Sequence, residues 1–334
     1  MTTETTETTE TIDASVSDSE PEARASKRSS GKFRDADVTA SGAPRARVAP
    51  GALKTLWFNT GTLCNITCRN CYIDSSPKND RLAYISASEV RGFLDEIDAG
   101  DFSVKEIGLT GGEPFMNPDI MAIITDGLER GHRVLVLSNG MKPMLRHGAA
   151  LMDLNTRHAG QLVIRLSVDH HTPQGHMAER GPDSWDPVIK GMGWLSKNGF
   201  AFQVAGRTYW QETEESLRKG YAGLFAANGV TLDAYDPVAL VLFPEMDESK
   251  DVPEITQACW EALGVSPGDM MCASSRMVVK HKGAVAPVVM ACTLIAYEEG
   301  FEMGSTLVGS MKEVSLNHPH CARFCVLGGG SCSK

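Results

Sequence analysis

The chain has 334 residues, with 32 lysines and arginines against 42 aspartates and glutamates, a formal net charge of −10. With 42% hydrophobic and 22% charged residues it has room for one large α/β domain with an appendage, or for two domains. The acidic balance argues against a nucleic-acid partner, no stretch approaches the ~18 apolar residues of a membrane span, and the first fifty residues hold no apolar run of a secretory signal, so a cytoplasmic protein is expected.

Residues 1–50 open on Thr-Thr-Glu repeats and hold almost no large apolar groups. Such a segment cannot offset its ordering entropy and is expected to be a disordered tail. From Leu53 short apolar runs alternate with amphipathic segments. Strands are expected at Leu53–Asn59, Val104–Thr110, Arg133–Ser138, Leu162–Val168, Phe200–Arg207 and Ala234–Leu242. Between them helices are expected at Ser88–Ala99, Pro118–Arg130, about Arg146–Leu154, Asp186–Asn198 and Glu212–Asn228. Ser88 and Ser184 or Asp186 are the expected N-caps, and Gly131, Gly199 and Gly229 stand just past helix ends. Strands followed in turn by helices predict parallel pairing through crossovers. Six such units are too few for a closed eight-stranded barrel. The expected fold is therefore α/β, a partial (βα)6 barrel over residues 51–245, followed by a small Cys-rich extension over 246–334 with a short helix around Ile255–Leu263. Reactive groups should gather at the C-terminal strand ends, where the loops converge.

The chain has nine cysteines, an odd number in two clumps, which reads as metal ligation rather than a disulfide framework. Cys64, Cys68 and Cys71 follow the first strand, and no further Cys or His occurs until His132. Three protein ligands and one open position are the arrangement of a reactive metal site. A cubane iron–sulfur cluster held by three thiolates keeps one iron free for a substrate-like ligand. A structural zinc knot completed by a distant His is the alternative.

The run Cys64-x3-Cys68-x2-Cys71-Tyr72 after the first strand resembles the radical S-adenosylmethionine (SAM) superfamily. Gly111-Gly112-Glu113-Pro114 after the second strand, Leu137-Ser138-Asn139-Gly140 at the third and Arg165-Leu-Ser167-Val-Asp169 at the fourth resemble its SAM-contacting motifs. The resemblance covers about residues 53–243. It implies a [4Fe-4S] cluster on Cys64, Cys68 and Cys71 whose open iron is chelated by SAM. An external one-electron donor such as flavodoxin or ferredoxin is implied, with reductive cleavage to a 5′-deoxyadenosyl radical that takes a hydrogen atom from a substrate. Gly111 and Gly112 let backbone approach the methionine amino group. Glu113 neutralises that group or supports the loop beside Pro114. Ser138, Asn139, Ser167 and Asp169 suit the carboxylate and ribose, and Arg207 could pair the carboxylate bidentately or form a structural ion pair.

The tail, with Cys272, Gly283, Cys292, Cys321, Cys325 and Cys332, resembles the SPASM or twitch extensions of such enzymes. That implies an auxiliary iron–sulfur cluster ligated by Cys272, Cys292 and two among Cys321, Cys325 and Cys332, with zinc on four thiolates as the alternative. Cys259 beside Trp260 reads as a buried thiol, His318 and His320 as surface or capping residues, and Met246, Met270 and Met271 as packing. His170 and His171, and Tyr209 and Trp210, are placed toward the cavity end. No cobalamin domain precedes the expected barrel, so cobalamin-dependent methylation is not expected. The expected function is a radical SAM enzyme acting on a small-molecule or cofactor-pathway substrate. The alternatives are a ribosomal-peptide maturase and a non-catalytic iron–sulfur carrier or zinc protein.

Overall fold

The computed structural model describes residues 31–208, 210–244 and 250–332. In chain order the elements are β1 (Arg47–Val48), β2 (Thr55–Asn59), α1 (Ala87–Ala99), β3 (Glu106–Thr110), α2 (Ile120–Glu129), β4 (Arg133–Ser138), α3 (Lys142–Arg146), α4 (Gly148–Arg157), β5 (Leu162–Ser167), α5 (Pro173–Arg180), α6 (Trp185–Lys197), β6 (Ala201–Arg207), α7 (Glu214–Ala227) and β7 (Leu240–Phe243). Then follow α8 (Cys259–Leu263), α9 (Met271–Ser274), β8 (Ser275–Val279), β9 (Val288–Met290), β10 (Glu302–Gly304), α10 (Leu307–Ser310), β11 (Val314–Ser315) and a π-helical turn over Cys321–Leu327.

Strands β2 to β7 pair in sequence order, all parallel, through the expected crossovers. The sheet does not close. The free edge of β2 is taken by β8, also parallel, and an antiparallel β8–β9–β10 meander continues from it into one nine-stranded sheet. The α/β partial barrel is thus as expected, while the Cys-rich extension continues the barrel sheet.

Strand parity decides what faces where, because successive side chains point to opposite faces. Leu56, Phe58, Val134, Val136, Leu162, Ile164 and Leu166 pack with the helices in one apolar cluster. Trp57, Leu135 and Val163, one residue out of phase, join a second cluster with residues of the extension. Continuing that second phase leads to Leu137, Arg165, Ser167, Ala205 and Arg207, all of which line one cavity. Arg165 lies wholly inside: its Nε donates to Gln203 Oε1 at 2.8 Å and its Nη1 to the Cys332 carbonyl at 2.9 Å.

Several boundaries differ from expectation for identifiable reasons. Helix α1 starts one residue earlier because Ser86, not Ser88, caps it in a capping box with Glu89. Ser184 makes no side-chain cap bond to α6. Helix α5 was not anticipated; Thr172 caps it and Pro173 supplies its first turn. The expected strand from Ala234 shrinks to Leu240–Phe243, since Pro237 lacks an amide proton and Asp236 folds the segment into a turn, accepting from the Val238 and Leu240 amides.

The expectation of a disordered tail up to residue 50 does not hold for residues 31–50. Phe33, Ala46 and Val48 are buried in the second cluster, and β1 pairs antiparallel with β11. Arg45 is enclosed, with Nη2 2.6 Å from Glu254 Oε1 and donating to the Val38 carbonyl, and Nε donating to the Asp35 carbonyl. The segment has too few apolar groups for a core of its own, but contributes them to one shared with the extension. Residues 1–30 lie outside the described residues, as do Tyr209 and Met246. Among the described residues no helix is long and apolar enough to cross a membrane.

Candidate active site

The C-terminal ends of β2 to β6 open onto a cavity lined by Cys64, Cys68, Cys71, Gly111, Gly112, Ser138, Asn139, Ser167, Asp169 and Arg207, so residues scattered over the sequence meet in one place. Of the residues expected to bind SAM, only Glu113 and Pro114 stand outside its lining. The cysteine loop is held by its backbone and neighbours. The Cys64 amide donates to the Ser76 carbonyl at 3.1 Å, the Arg69 amide to the Glu179 carbonyl at 2.7 Å, and Asn70 Nδ2 to Glu179 Oε2 at 2.8 Å. Asn139 Nδ2 reaches Asn65 Oδ1 at 2.8 Å, tying the end of β4 to the same loop.

The two glycines serve the loop directly. Gly111 sits at φ +135°, and a Cβ there would meet the Gly61 carbonyl; one on Gly112 would meet the Leu63 carbonyl. Gly112 donates to Gly61 and Glu113 to Leu63 through their amides. Glycine is therefore needed for the Gly-Gly-Glu-Pro turn to press against the cysteine loop, in addition to leaving the cavity wall bare.

Glu113 is a support. Its carboxylate accepts from the Asn139 amide at 2.9 Å, the Phe115 amide at 3.2 Å and Ser138 Oγ at 3.0 Å. Burial pushes its pKa up to about 7 against those hydrogen bonds. Asp169 is also buried, but burial is overcome by Arg180 and Arg207, which hold it below its ordinary carboxylate value. Arg180 Nε lies 2.8 Å and Arg207 Nε 3.4 Å from its oxygens. Arg207 thus makes the structural ion pair, while its buried Nη1 has no partner and is open to an anionic group. Arg180, contributed by the unanticipated α5, lines the cavity beside the cysteines; the Thr172-Pro173 helix start was its sequence signal.

His170 and His171 do not line the cavity. His170 Nε2 is 2.7 Å from Glu212, and its ring packs on His171 and Trp210. Trp210 instead donates from Nε1 to the Asp169 carbonyl.

A second, apolar cavity is lined by Cys272, Cys292, Cys321 and Cys325. Cys321 and Cys325 are four apart on the π-helical turn, which puts both on one face. Arg276 is buried beside them and donates to the Cys272, Ser310 and Lys312 carbonyls, fixing the strand that follows Cys272. His318 and His320 are buried rather than superficial; His320 lines this second cavity and His318 pairs with Glu298. Cys332 is not in this set: it lines the first cavity. Cys259 lines neither and its Sγ accepts from the Thr256 amide.

Burial favours the protonated form of several of these thiols. Burial pushes Cys64 and Cys292 up to about 12 and Cys272 up to about 11, so ligation must release protons. Their spacing bears on which metal. A single tetrahedral zinc with bonds of about 2.3 Å needs sulfurs about 3.8 Å apart. Among the described residues the one set of three potential ligand atoms within 4.8 Å of each other is His170, His171 and Glu212, and no three thiols are that close.

Residues 58–217 match the family model of the radical SAM superfamily. This part of the chain belongs to the radical SAM superfamily. The chain is 27% identical over 192 residues to an AdoMet-dependent heme synthase of Methanosarcina barkeri, covering 57% of this chain and 51% of that one. It is 27% identical over 143 residues to the subtilosin biosynthesis protein AlbA of Bacillus subtilis, covering 42% and 30%. It thus spans about half, or less, of the length of these curated relatives. Streptococcus suis SuiB bound to S-adenosylmethionine shares the fold, with a TM-score of 0.55 at 12% identity over 76% of this chain and 63% of SuiB.

Proposed function

We propose that this radical SAM protein is an enzyme that binds SAM and a [4Fe-4S] cluster at the Cys64–Cys68–Cys71 loop and acts on a small-molecule or cofactor-pathway substrate in the cytoplasm. The observation that carries the reading is the convergence of three thiols, two glycines and the strand-end polar set on one cavity. The cluster, reduced by an external one-electron donor, supplies cleavage of SAM to methionine and a hydrogen-abstracting 5′-deoxyadenosyl radical. The chain's own groups position it. Cys64, Cys68 and Cys71 hold iron; Arg207 Nη1 offers a buried donor to the SAM carboxylate. Ser138 and Ser167 offer short polar groups on the same wall, and Asp169, fixed by Arg180, holds a charge where a ribose or amino group can pair with it. Phe243, Leu294 and Phe324 line the remaining wall with apolar groups. Cys272, Cys292, Cys321 and Cys325 would hold an auxiliary cluster, which would serve electron transfer or structure.

Anaerobic reconstitution with iron, sulfide and reductant is expected to yield 5′-deoxyadenosine from SAM, and Cys64→Ala to abolish it while leaving the auxiliary iron bound. Fully loaded protein that makes none rejects the assignment. Peptide maturation is the second reading, favoured by the similarity to AlbA. Metabolite extracts and precursor-peptide fractions, each tested for label exchange with labelled SAM, separate the two.

A further inference from the structure

We propose that Cys332 is a hydrogen-atom donor to carbon-centred radicals formed in the active cavity. The proposal rests on the radical chemistry proposed above and adds to it a residue outside both proposed ligand sets. Seven cysteines divide between the two thiol sets and Cys259 lies in neither cavity. Cys332 is left over, and it lines the active cavity beside Leu294, which walls both cavities.

Its place is built. The Cys332 amide donates to Met271 Sδ at 3.1 Å, Arg165 Nη1 donates to its carbonyl at 2.9 Å, and Thr293 Oγ1 reaches its Sγ at 3.6 Å. A fully buried arginine from the barrel interior thus holds the backbone that carries the thiol. A second observation in the same cavity points to a ligand. Ser75 lines it at 4% exposure, and its hydroxyl has no hydrogen-bond partner. A buried hydroxyl left unpaired is rare unless a bound molecule satisfies it. Cys332 and such a ligand would share one cavity.

The step balances as follows. An S–H bond is weaker than most C–H bonds, so a carbon radical takes the hydrogen atom from Cys332, forming C–H and leaving a thiyl radical. One electron from a reduced iron–sulfur centre and one proton restore the thiol. Thr293, whose Oγ1 reaches Cys332 Sγ at 3.6 Å, follows Cys292 of the second set directly in the chain, so a centre held there would be well placed to deliver that electron. A substrate that loses one hydrogen atom to the 5′-deoxyadenosyl radical and regains one from sulfur is inverted or rearranged, with no net oxidation.

SAM alone is a sufficient probe, because the 5′-deoxyadenosyl radical is itself carbon-centred. Cluster-loaded wild type, Cys332→Ala and Cys332→Ser are each turned over with SAM and dithionite in deuterium oxide, where the thiol becomes S–D. Wild type is expected to yield 5′-deoxyadenosine enriched in one deuterium, and both variants to lose that enrichment while keeping wild-type iron and sulfide content. Equal enrichment in all three overturns the proposal. So does loss of iron from the variants, which makes Cys332 a cluster ligand. If no protein forms 5′-deoxyadenosine, the radical reading itself fails and this proposal falls with it.

Discussion

Glu113 shows how a single side chain in a signature motif can act on its neighbours. It accepts from the end of β4 through Asn139 and Ser138 and from its own turn through Phe115. Its ordinary value of 4.5 rises to about 7 in the fold, mainly through burial. Between those values the folded protein holds a proton that the unfolded chain has released, so the contribution of this group is fully present below about 4.5 and is lost as pH rises through about 7. Glu113→Gln is expected to flatten that part of the pH dependence. Urea midpoints of wild type and variant across pH 4.5 to 7.5 measure it, and parallel profiles reject the assignment. The motif was legible in the sequence, and loop support was one of the two roles it allowed, but the groups that Glu113 faces were not. Which groups a buried carboxylate faces depends on strand ends that are 25 residues apart in the chain for Ser138.

At the scale of elements, the motifs work because neighbouring loops press together. The Gly-Gly-Glu-Pro turn and the cysteine loop touch backbone to backbone, so Gly112→Ala must displace the Leu63 carbonyl. It is expected to cost a large share of the iron bound by the first cysteine set, with the auxiliary iron unchanged, as read by EPR and iron content; full occupancy of both would show that the loops can yield. Helix α1 depends on its capping box, in which Ser86 Oγ accepts from the Glu89 amide at 3.3 Å and the Ser86 amide donates back to Glu89 at 2.9 Å. Ser86→Ala is expected to destabilise the protein by about 1 kcal/mol in chemical denaturation. Apolar periodicity foretold most strands and long helices. It missed α5, whose eight residues include few apolar groups, and so missed Arg180, the partner that keeps Asp169 charged inside the cavity.

For the whole molecule, the extension continues the open barrel sheet, and residues 31–50 pack against the extension. β8 covers the edge that an unclosed sheet would otherwise leave unpaired, and β11 with β1 fastens the N-terminal segment over it. The Arg45–Glu254 pair is shut away from solvent, at 0% and 6% side-chain exposure. Arg45→Ala leaves the Glu254 carboxylate with only the Phe33 and Ala40 amides and removes the donor to the Asp35, Val38 and Leu316 carbonyls, an expected loss of about 3–5 kcal/mol. A marked fall in thermal midpoint checks this, and a shift within the error of a surface substitution contradicts it.

The sequence by itself determined the run of parallel strands, the cysteine loop at the first strand end and the order of the motifs, because hydrophobic period and ligand spacing are local properties. Only the tertiary structure decided which cysteines keep company. Cys321 and Cys325 turn one helical face toward Cys272 and Cys292, while Cys332 is drawn by Arg165 into the other cavity. Residues 31–50 likewise gain order only where the extension offers them a shared core. The physical reason is the same in each case: burial and charge pairing are set by partners far away in the chain, and local pattern carries no record of them.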